Sequence, residues 1–354
     1  MSYLDLTVLN DFQATTTLTN EKFIARYGMI QQAKDNMAKQ NYIPPSVIDQ
    51  LRTITGNRAA QIPVIKDQTV VTSTTPSFTI PANLAETDLY SFTPYDVFSG
   101  FRIYPSTFED NMEDGVFYRN EVLKNVLQAM AVVKDDIIET QLEARKTQTL
   151  SYTTQISQGD GTFTFNAGTD TLEISKAAQK DTMFYNLREL MQANQLPGEY
   201  SMVLSPAALA TNEAELLKFG ANNSENKAWD RPFNAYYSDQ ISPSTDVFRG
   251  FLVRDGALGI MSNYPWDFRN KTTLAGKEWD ITDVEMPFIM SRPNVFINKE
   301  ATDATALVSS GNSNAIMTHF EEIAIWDRFY VVYRYNSDLT TRQNDIVKIK
   351  GLTT

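Results

Sequence analysis

Four glutamates, Glu109, Glu113, Glu139 and Glu143, are spaced so that carboxylates pair along one helix face, the kind of grouping from which general acids and bases are drawn. Glycoside-cleaving carboxylates face one another across a cleft and come from separate strands, so these four read better as solvated helix charges. Asp160 and Asp170 flank a Gly-containing turn and offer oxygens to calcium, but the full spacing of a calcium-binding loop is missing. The chain has one histidine, His319, and no cysteine. That removes disulfides, thiolate nucleophiles, thiolate zinc sites and multi-histidine centres within one chain. His319 as a catalytic base would need a serine in a strained elbow, and no Gly-x-Ser-x-Gly occurs. Neither Gly-x-Gly-x-x-Gly nor a phosphate-loop Gly-Lys-Ser/Thr is present. Trp229, Trp266, Trp279 and Trp326 could line a sugar site, yet scattered tryptophans more often anchor cores and interfaces. The side chains therefore argue for no catalytic residue, no cofactor and no metal.

The 354 residues carry 31 Lys+Arg against 43 Asp+Glu, a net charge of −12. Gripping phosphates needs clustered cations, so nucleic-acid binding as the main task is disfavoured. A hydrophobic share of 42% with 21% charged residues is that of a globular chain able to bury a core. The longest apolar run, 127–133, is broken by Gln128 and far too short for a bilayer. The first basic residue is Lys22, which is not the charged start of a secretory signal. The expectation is a soluble protein made and kept in the cytoplasm, with no membrane partner.

The elements that would position side chains are more telling than any site. Residues 1–19 are Thr-rich and unpatterned. A short amphipathic helix follows, with Asn20 as cap and Phe23, Ile24, Ile30 and Met37 near one face; Pro44-Pro45 ends it, and a second helix runs over 46–54. Residues 57–107 are rich in Val, Ile, Thr and aromatics, punctuated by prolines, and predict an extended β-hairpin with edge-strand character. Between Glu113 and Thr149 no proline occurs, and Val116, Leu123, Val126, Leu127, Met130, Val133, Ile137, Ile138 and Leu142 recur at helical steps. Acids at the start and Arg145 and Lys146 at the end suit the helix dipole, and the stretch would span roughly 55 Å. A hairpin turning at Gly159-Asp160-Gly161 is expected next, then a helix over 175–194, a strand YSMVL, and a helix capped by Ser205 with Pro206 at its first position. Four strand-rich blocks complete the chain. The near-identical DVFSGFRI and DVFRGFLV have divergent flanks and read as coincidence.

That order of arm, long β-loop, long helix, compact α/β region and strand-rich end resembles the major capsid proteins of tailed bacteriophages, which have the Hong Kong 97 fold. VFSGFRIYPSTFEDNMEDGVFYRNEVLKNVLQAMAVVKDDIIETQLEARKTQ resembles that family's last loop strand running into its spine helix. YNLRELMQANQLPGEYSMVLSPAALAT and YYSDQISPSTDVFRGFLVRDGALGIMSN resemble its axial domain. The resemblance implies an α+β fold divided into an amino-terminal arm with short helices (1–56), an extended β-hairpin loop (57–107), a spine helix and following hairpin (108–174, the first part of a peripheral domain), an axial domain (175–282), and a strand-rich return to the peripheral domain (283–354). It implies a non-enzymatic subunit that assembles with itself through pentamers and hexamers into an icosahedral shell in the virion, put together in the host bacterial cytoplasm. Such a shell encloses double-stranded DNA without reading its sequence, with scaffolding, portal and decoration proteins as further partners. The loop would lie across a neighbour's spine helix, which makes Arg58, Lys66, Glu113, Asp114, Arg145 and Lys146 candidate intersubunit contacts. Some relatives link a loop lysine covalently to a neighbour's asparagine; Lys66 is the sole lysine between Lys39 and Lys124, and linkage is not expected. An encapsulin-like nanocompartment shell shares the fold, and a carbohydrate-active enzyme with paired carboxylates is the alternative of another class.

Overall fold

The computed structural model describes residues 26–40, 43–53, 60–65, 87–104, 112–153, 161–179, 183–196, 198–208, 233–242, 245–263, 273–274, 277–282, 284–303, 318–334 and 343–353, with Phe12 and Thr340. Its elements are helices α1 (Gly28–Lys39) and α2 (Pro45–Thr53), strands β1 (Ala60–Ile65), β2 (Thr87–Phe92) and β3 (Pro94–Ile103), and the long helix α3 (Met112–Arg145). Strands β4 (Phe163–Asn166) and β5 (Thr171–Ile174), helix α4 (Met183–Ala193) and strands β6 (Tyr200–Leu204), β7 (Asn234–Tyr237), β8 (Phe248–Arg254) and β9 (Leu258–Ser262) follow. Strands β10 (Thr273–Leu274), β11 (Lys277–Ile281), β12 (Asn294–Asp303), β13 (Thr318–Tyr333) and β14 (Ile346–Gly351) complete the set. The fold is mixed α+β, and the order of ribbon, long helix and strand-rich remainder is the one the resemblance implies.

The strands form three sheets. β1 and β2 make an antiparallel ribbon on their own. A second sheet runs β10-β11-β12-β13-β3, with β9 also on β13. Phe329 and Tyr330 pair with β3 on one side and β9 on the other, so the 16-residue β13 is its axis. The third sheet runs β4-β5-β14-β8-β6-β7, and the last strand of the chain is inserted between β5 and β8. The two similar octapeptides fall in β3 and β8, in different sheets.

Helix α3 has 34 residues and is about 50 Å long. Leu123, Leu127, Met130, Ala131, Ile138 and Leu142 form its buried stripe and share one core with α1, β9, β12 and β13. Val116 and Val133, expected on that stripe, are instead exposed. The stripe passes through residue 134 rather than 133, as steps of three and four from Leu127 and Met130 require. Helix α4 covers the third sheet through Met183, Leu187, Leu190 and Met191. It is shorter than expected: residues 176–179 form a turn, in which Gln179 Nε2 donates to the carbonyls of Ile174 (2.9 Å) and Leu352 (2.8 Å).

The turn expected at Gly159-Asp160-Gly161 lies outside the described residues except for Gly161. The described hairpin turns at 167–170, where Asn166 Oδ1 accepts from Gly168 N at 2.9 Å and Asp170 takes φ 50°. Gly161 lies before this hairpin, at φ 127° against Ala178. The Ser205 hydroxyl accepts from Arg249 N of β8 at 3.2 Å, while its carbonyl accepts from Ala208 N at 3.0 Å and residues 207–208 are helical, so a helix opens where expected and continues outside the described residues. The expectations for residues 1–11, 13–25, 154–160, 209–232 and 264–272, including Asn20, Phe23, Ile24, Asp160, Trp229 and Trp266, lie outside the described residues. Pro45 opens α2, close to the start expected for it.

Candidate assembly surface

Nothing in the ribbon can form a core alone, since two strands bury too little. Its root is held by Tyr90 and Phe92, which meet Leu51 of α2 and Tyr330, Val332 and Tyr333 of β13. Tyr90 stands edge-on to Phe92 (4.6 Å) and Tyr333 (4.9 Å). Beyond this root the strands pair with each other alone among the described residues.

β3 follows directly and alternates: Val97 and Ile103 face the core, while Asp96, Phe98, Gly100 and Arg102 face away. Across the outer face β13 supplies matching partners in register, Arg328, Trp326, Ala324 and Glu322. Two ion pairs frame an apolar centre. At one end Arg328 holds Asp96 with Nε at 2.6 Å and Nη2 at 2.9 Å, and Trp326 Nε1 donates to the same carboxylate at 2.8 Å. At the other Arg102 meets Glu322 at 3.3 Å. Burial raises the Asp96 carboxyl, but the bonds from Arg328 and Trp326 outweigh it and leave it below its ordinary value. Between the ion pairs Phe98 is 79% exposed. Phe117 is 69% exposed at the start of α3, with Val116 and Tyr118 beside it. Both rings leave apolar area in contact with water in the single chain.

Behind this face α3 carries two consecutive buried ionisable residues. Lys134 Nζ donates to Asp327 Oδ2 of β13 (2.8 Å), to the Ile289 carbonyl (3.0 Å) and to Ser291 Oγ (3.2 Å), and lies 4.7 Å from the centre of the Phe329 ring. The turn it grips carries Phe288 and Met290 in left-handed conformations. Asp135 accepts from Ile30 N of α1 at 3.2 Å and from Ser238 Oγ just after β7. Sequence reading missed both residues. The signal was present, because position 134 falls in the apolar stripe and carries a lysine.

The candidate contacts do not converge. Arg58 and Lys66 lie outside the described residues, and Glu113 and Asp114 fall in the first turn of α3 with side chains outside them. Arg145 and Lys146 lie at the opposite end, roughly 45 Å along the helix from Asp114. Arg145 donates to Tyr333 Oη and stacks on that ring at 4.0 Å, and burial lowers its guanidinium from its ordinary value. Lys146 donates to Glu143 (2.6 Å) and the Thr169 carbonyl (3.0 Å). Burial raises the Glu143 carboxyl, yet bonds from Lys146 and Lys348 prevail and lower it. Glu139, four residues before, is raised by burial and by its neighbours Asp136 and Glu143. These are charges at one helix end, not a pair facing across a cleft. His319 stands in β13 opposite Thr302, and Asp170 is a turn residue. Among the described residues no group of three His, Cys, Asp or Glu could hold a metal, and no helix is long and apolar enough to cross a membrane.

No family model and no curated protein matches the chain. Solved structures similar to it include a chain of Mycobacterium phage Adephagia, at 14% identity over 89% of this chain and 92% of that one, with a TM-score of 0.42. Another belongs to the capsid structure of the cyanophage P-SCSP1u, at 10% identity over 86% of each chain and a TM-score of 0.43. A third is from the head structure of Helicobacter pylori bacteriophage KHP40, at 8% identity over 84% and 85% and a TM-score of 0.41.

Proposed function

We propose that this chain is a shell-forming structural subunit, the major capsid protein of a tailed bacteriophage. In this reading it assembles with itself, through rings of five and six, into a closed shell that encloses double-stranded DNA in the virion. Its role is mechanical rather than catalytic. The carrying observation is the pairing of a long core-forming helix with a two-stranded β-ribbon that, among the described residues, joins neither of the larger sheets. A monomeric enzyme has no use for an element whose burial must come from elsewhere, whereas a shell subunit reaches its neighbours with one. The exposed Phe98 and Phe117 fit the same role as surfaces that neighbours cover. The second sheet with α3 would form the peripheral part and the third sheet with α4 the axial part at the ring centres; these sheets cross the expected bounds, since β9–β11 fall within 175–282 while β4, β5 and β14 fall within 108–174 and 283–354. The negative net charge suits a wall that holds DNA without gripping it. Arg58, Lys66, Glu113, Asp114, Arg145 and Lys146 remain the residues proposed at subunit contacts.

Electron microscopy with light scattering on the purified protein tests this reading. Closed shells, or rings of five and six, are expected. A species that keeps single-chain mass at high protein concentration, with and without crowding agents, would refute it. Nucleic acid in native shells is expected; protein cargo in its place would mark a nanocompartment.

A further inference from the structure

Helix α1 begins without the usual aids. Its N-cap, Tyr27, makes no side-chain capping bond, and its first turn holds no acid. The first N–H groups of a helix need acceptors, and an anion there is favoured by the helix dipole. Asp135 of α3 provides one from another element: one carboxylate oxygen accepts from Ile30 N at 3.2 Å, an N–H it shares with the Tyr27 carbonyl at 3.2 Å, and the other accepts from Ser238 Oγ. The carboxyl is fully buried. The junction is closed around it by the Tyr27–Ser238 bridge, by Asp239 N donating to the Arg26 carbonyl at 2.9 Å, and by the Arg26–Asp239 ion pair at 2.6 Å. Backbones approach so closely here that a Cβ on Gly28 would meet the Tyr237 carbonyl oxygen at 2.4 Å.

The charged groups around Asp135 leave it without a cation. Lys134, beside it on α3, is committed to Asp327, while Asp136 and Glu139 on the same helix add negative charge. Before α1, Arg26 is taken by Asp239, and burial raises the Tyr27 phenol, keeping it neutral. On α1, Lys34 pairs with Glu285, and Asp35 accepts from Tyr236 Oη of β7 at 2.7 Å. None of the ion pairs among the described residues includes Asp135.

We propose that Asp135 is a proton-controlled latch: seating α1 and the Ser238 turn over this carboxyl takes up a proton, so the amino-terminal helix is held more tightly in acid than in base. Protonation leaves the geometry intact, because the new O–H donates to Ser238 Oγ while the other oxygen still accepts from Ile30 N. Burial pushes the carboxyl up to about 7 from 3.8; the bonds from Ser238 and Ile30 pull the other way, and Glu139 and Asp136 add to the rise. Between those limits the seated state holds a proton that the open state releases. Seating is therefore at full strength below about pH 4, weakens by up to tenfold per unit as pH rises, and is weakest above about pH 7. The latch lies within one chain and does not depend on shell formation.

Hydrogen exchange of the full-length protein, corrected for the intrinsic pH dependence, tests it in the amides of residues 28–39. Opening of α1 should be at least tenfold rarer at about pH 5.5 than at about pH 8. Asp135→Asn keeps an acceptor for Ile30 and cannot ionise, so its protection should be independent of pH and match the acid form of the wild type. Glu139→Gln should move the midpoint to lower pH without flattening the curve. Equal wild-type protection at both pH values, or pH dependence persisting in Asp135→Asn, overturns the latch. If that variant does not fold, a carbon-13 titration of the wild-type Asp135 carboxyl decides: a midpoint near 4 overturns it, one near 7 supports it.

Discussion

Replacing Lys134 by methionine isolates what the buried ion pair does for the long helix. Methionine keeps the length and most of the apolar stem but removes the ammonium. Lys134 and Asp327 have side chains 1% and 2% exposed, so the Asp327 carboxyl would be left dry and without its cation. Losing one partner of such a pair costs about 3–5 kcal/mol. The Ile289 carbonyl and Ser291 hydroxyl lose their shared donor too, which puts the effect toward the upper end of that range. Lys134→Met/Asp327→Leu removes both charges and should be more stable than Lys134→Met alone by about 1–3 kcal/mol, although it carries one more substitution.

The assay is equilibrium denaturation in urea of wild type, both single variants and the double, comparing midpoints at constant slope. A change in slope would show that the two-state reading fails, and exchange protection in 112–145 would then replace it. Two results refute the reasoning. If Lys134→Met costs less than about 1 kcal/mol, the ammonium is not satisfying a buried anion. If the two single effects simply add in the double variant, the residues are not coupled, whatever their 2.8 Å separation.

Other expectations follow from single contacts. Phe98→Ser and Phe117→Ser should leave subunit stability within about 0.5 kcal/mol, because both rings face water, yet raise the concentration needed for assembly about tenfold or more by light scattering. Gly259→Val puts a Cβ within 2.9 Å of Met37, so α1 must move off β9, at a cost of about 1–3 kcal/mol seen as faster exchange in residues 28–39. Asp96 has its folded pKa below 3.8, so its contribution is present above that value and lost as pH falls through the lower one; Asp96→Asn should flatten acid denaturation below about pH 4.

Long, strongly periodic elements were legible in the sequence. The run without proline between Glu113 and Thr149 became α3 within a few residues, because nothing in it competes with helix formation. YSMVL became β6, buried at every position, because an apolar run broken only by Ser201, whose hydroxyl accepts from Gln32 and donates to the Val253 carbonyl, suits a strand covered on both faces. Less legible was which strand joins which sheet. β14 lies far in sequence from β5 and β8, and only the folded register shows that it fills the gap between them. The turn at 167–170 was not legible either: the side chain of Asn166 closes it, a local bond that composition does not reveal. Phe98 was missed as a surface residue for a related reason. Its twin in the second octapeptide, Phe248, is fully buried, and eight similar residues do not say which face a neighbouring helix will cover.

Lys134 and Asp135 show why an apolar stripe alone would specify this helix poorly. Leucines and methionines tolerate rotation and sliding, since dispersion and burial are nearly indifferent to small shifts. Two adjacent charges on a helix point about 100° apart. One is bound to β13 and the 286–291 turn, the other to α1 and Ser238. A slip of one residue would carry both away from their partners and leave buried polar groups unsatisfied and the Asp327 partner lost, a cost of several kcal/mol that no apolar contact imposes. The pair therefore fixes rotation and register of α3 against the second sheet on one side and the amino-terminal helix on the other. Its two halves differ in kind. Lys134 has a counter-charge and acts as a permanent peg, whereas Asp135 has only hydrogen-bond donors, so its hold on α1 is the one that protons can change.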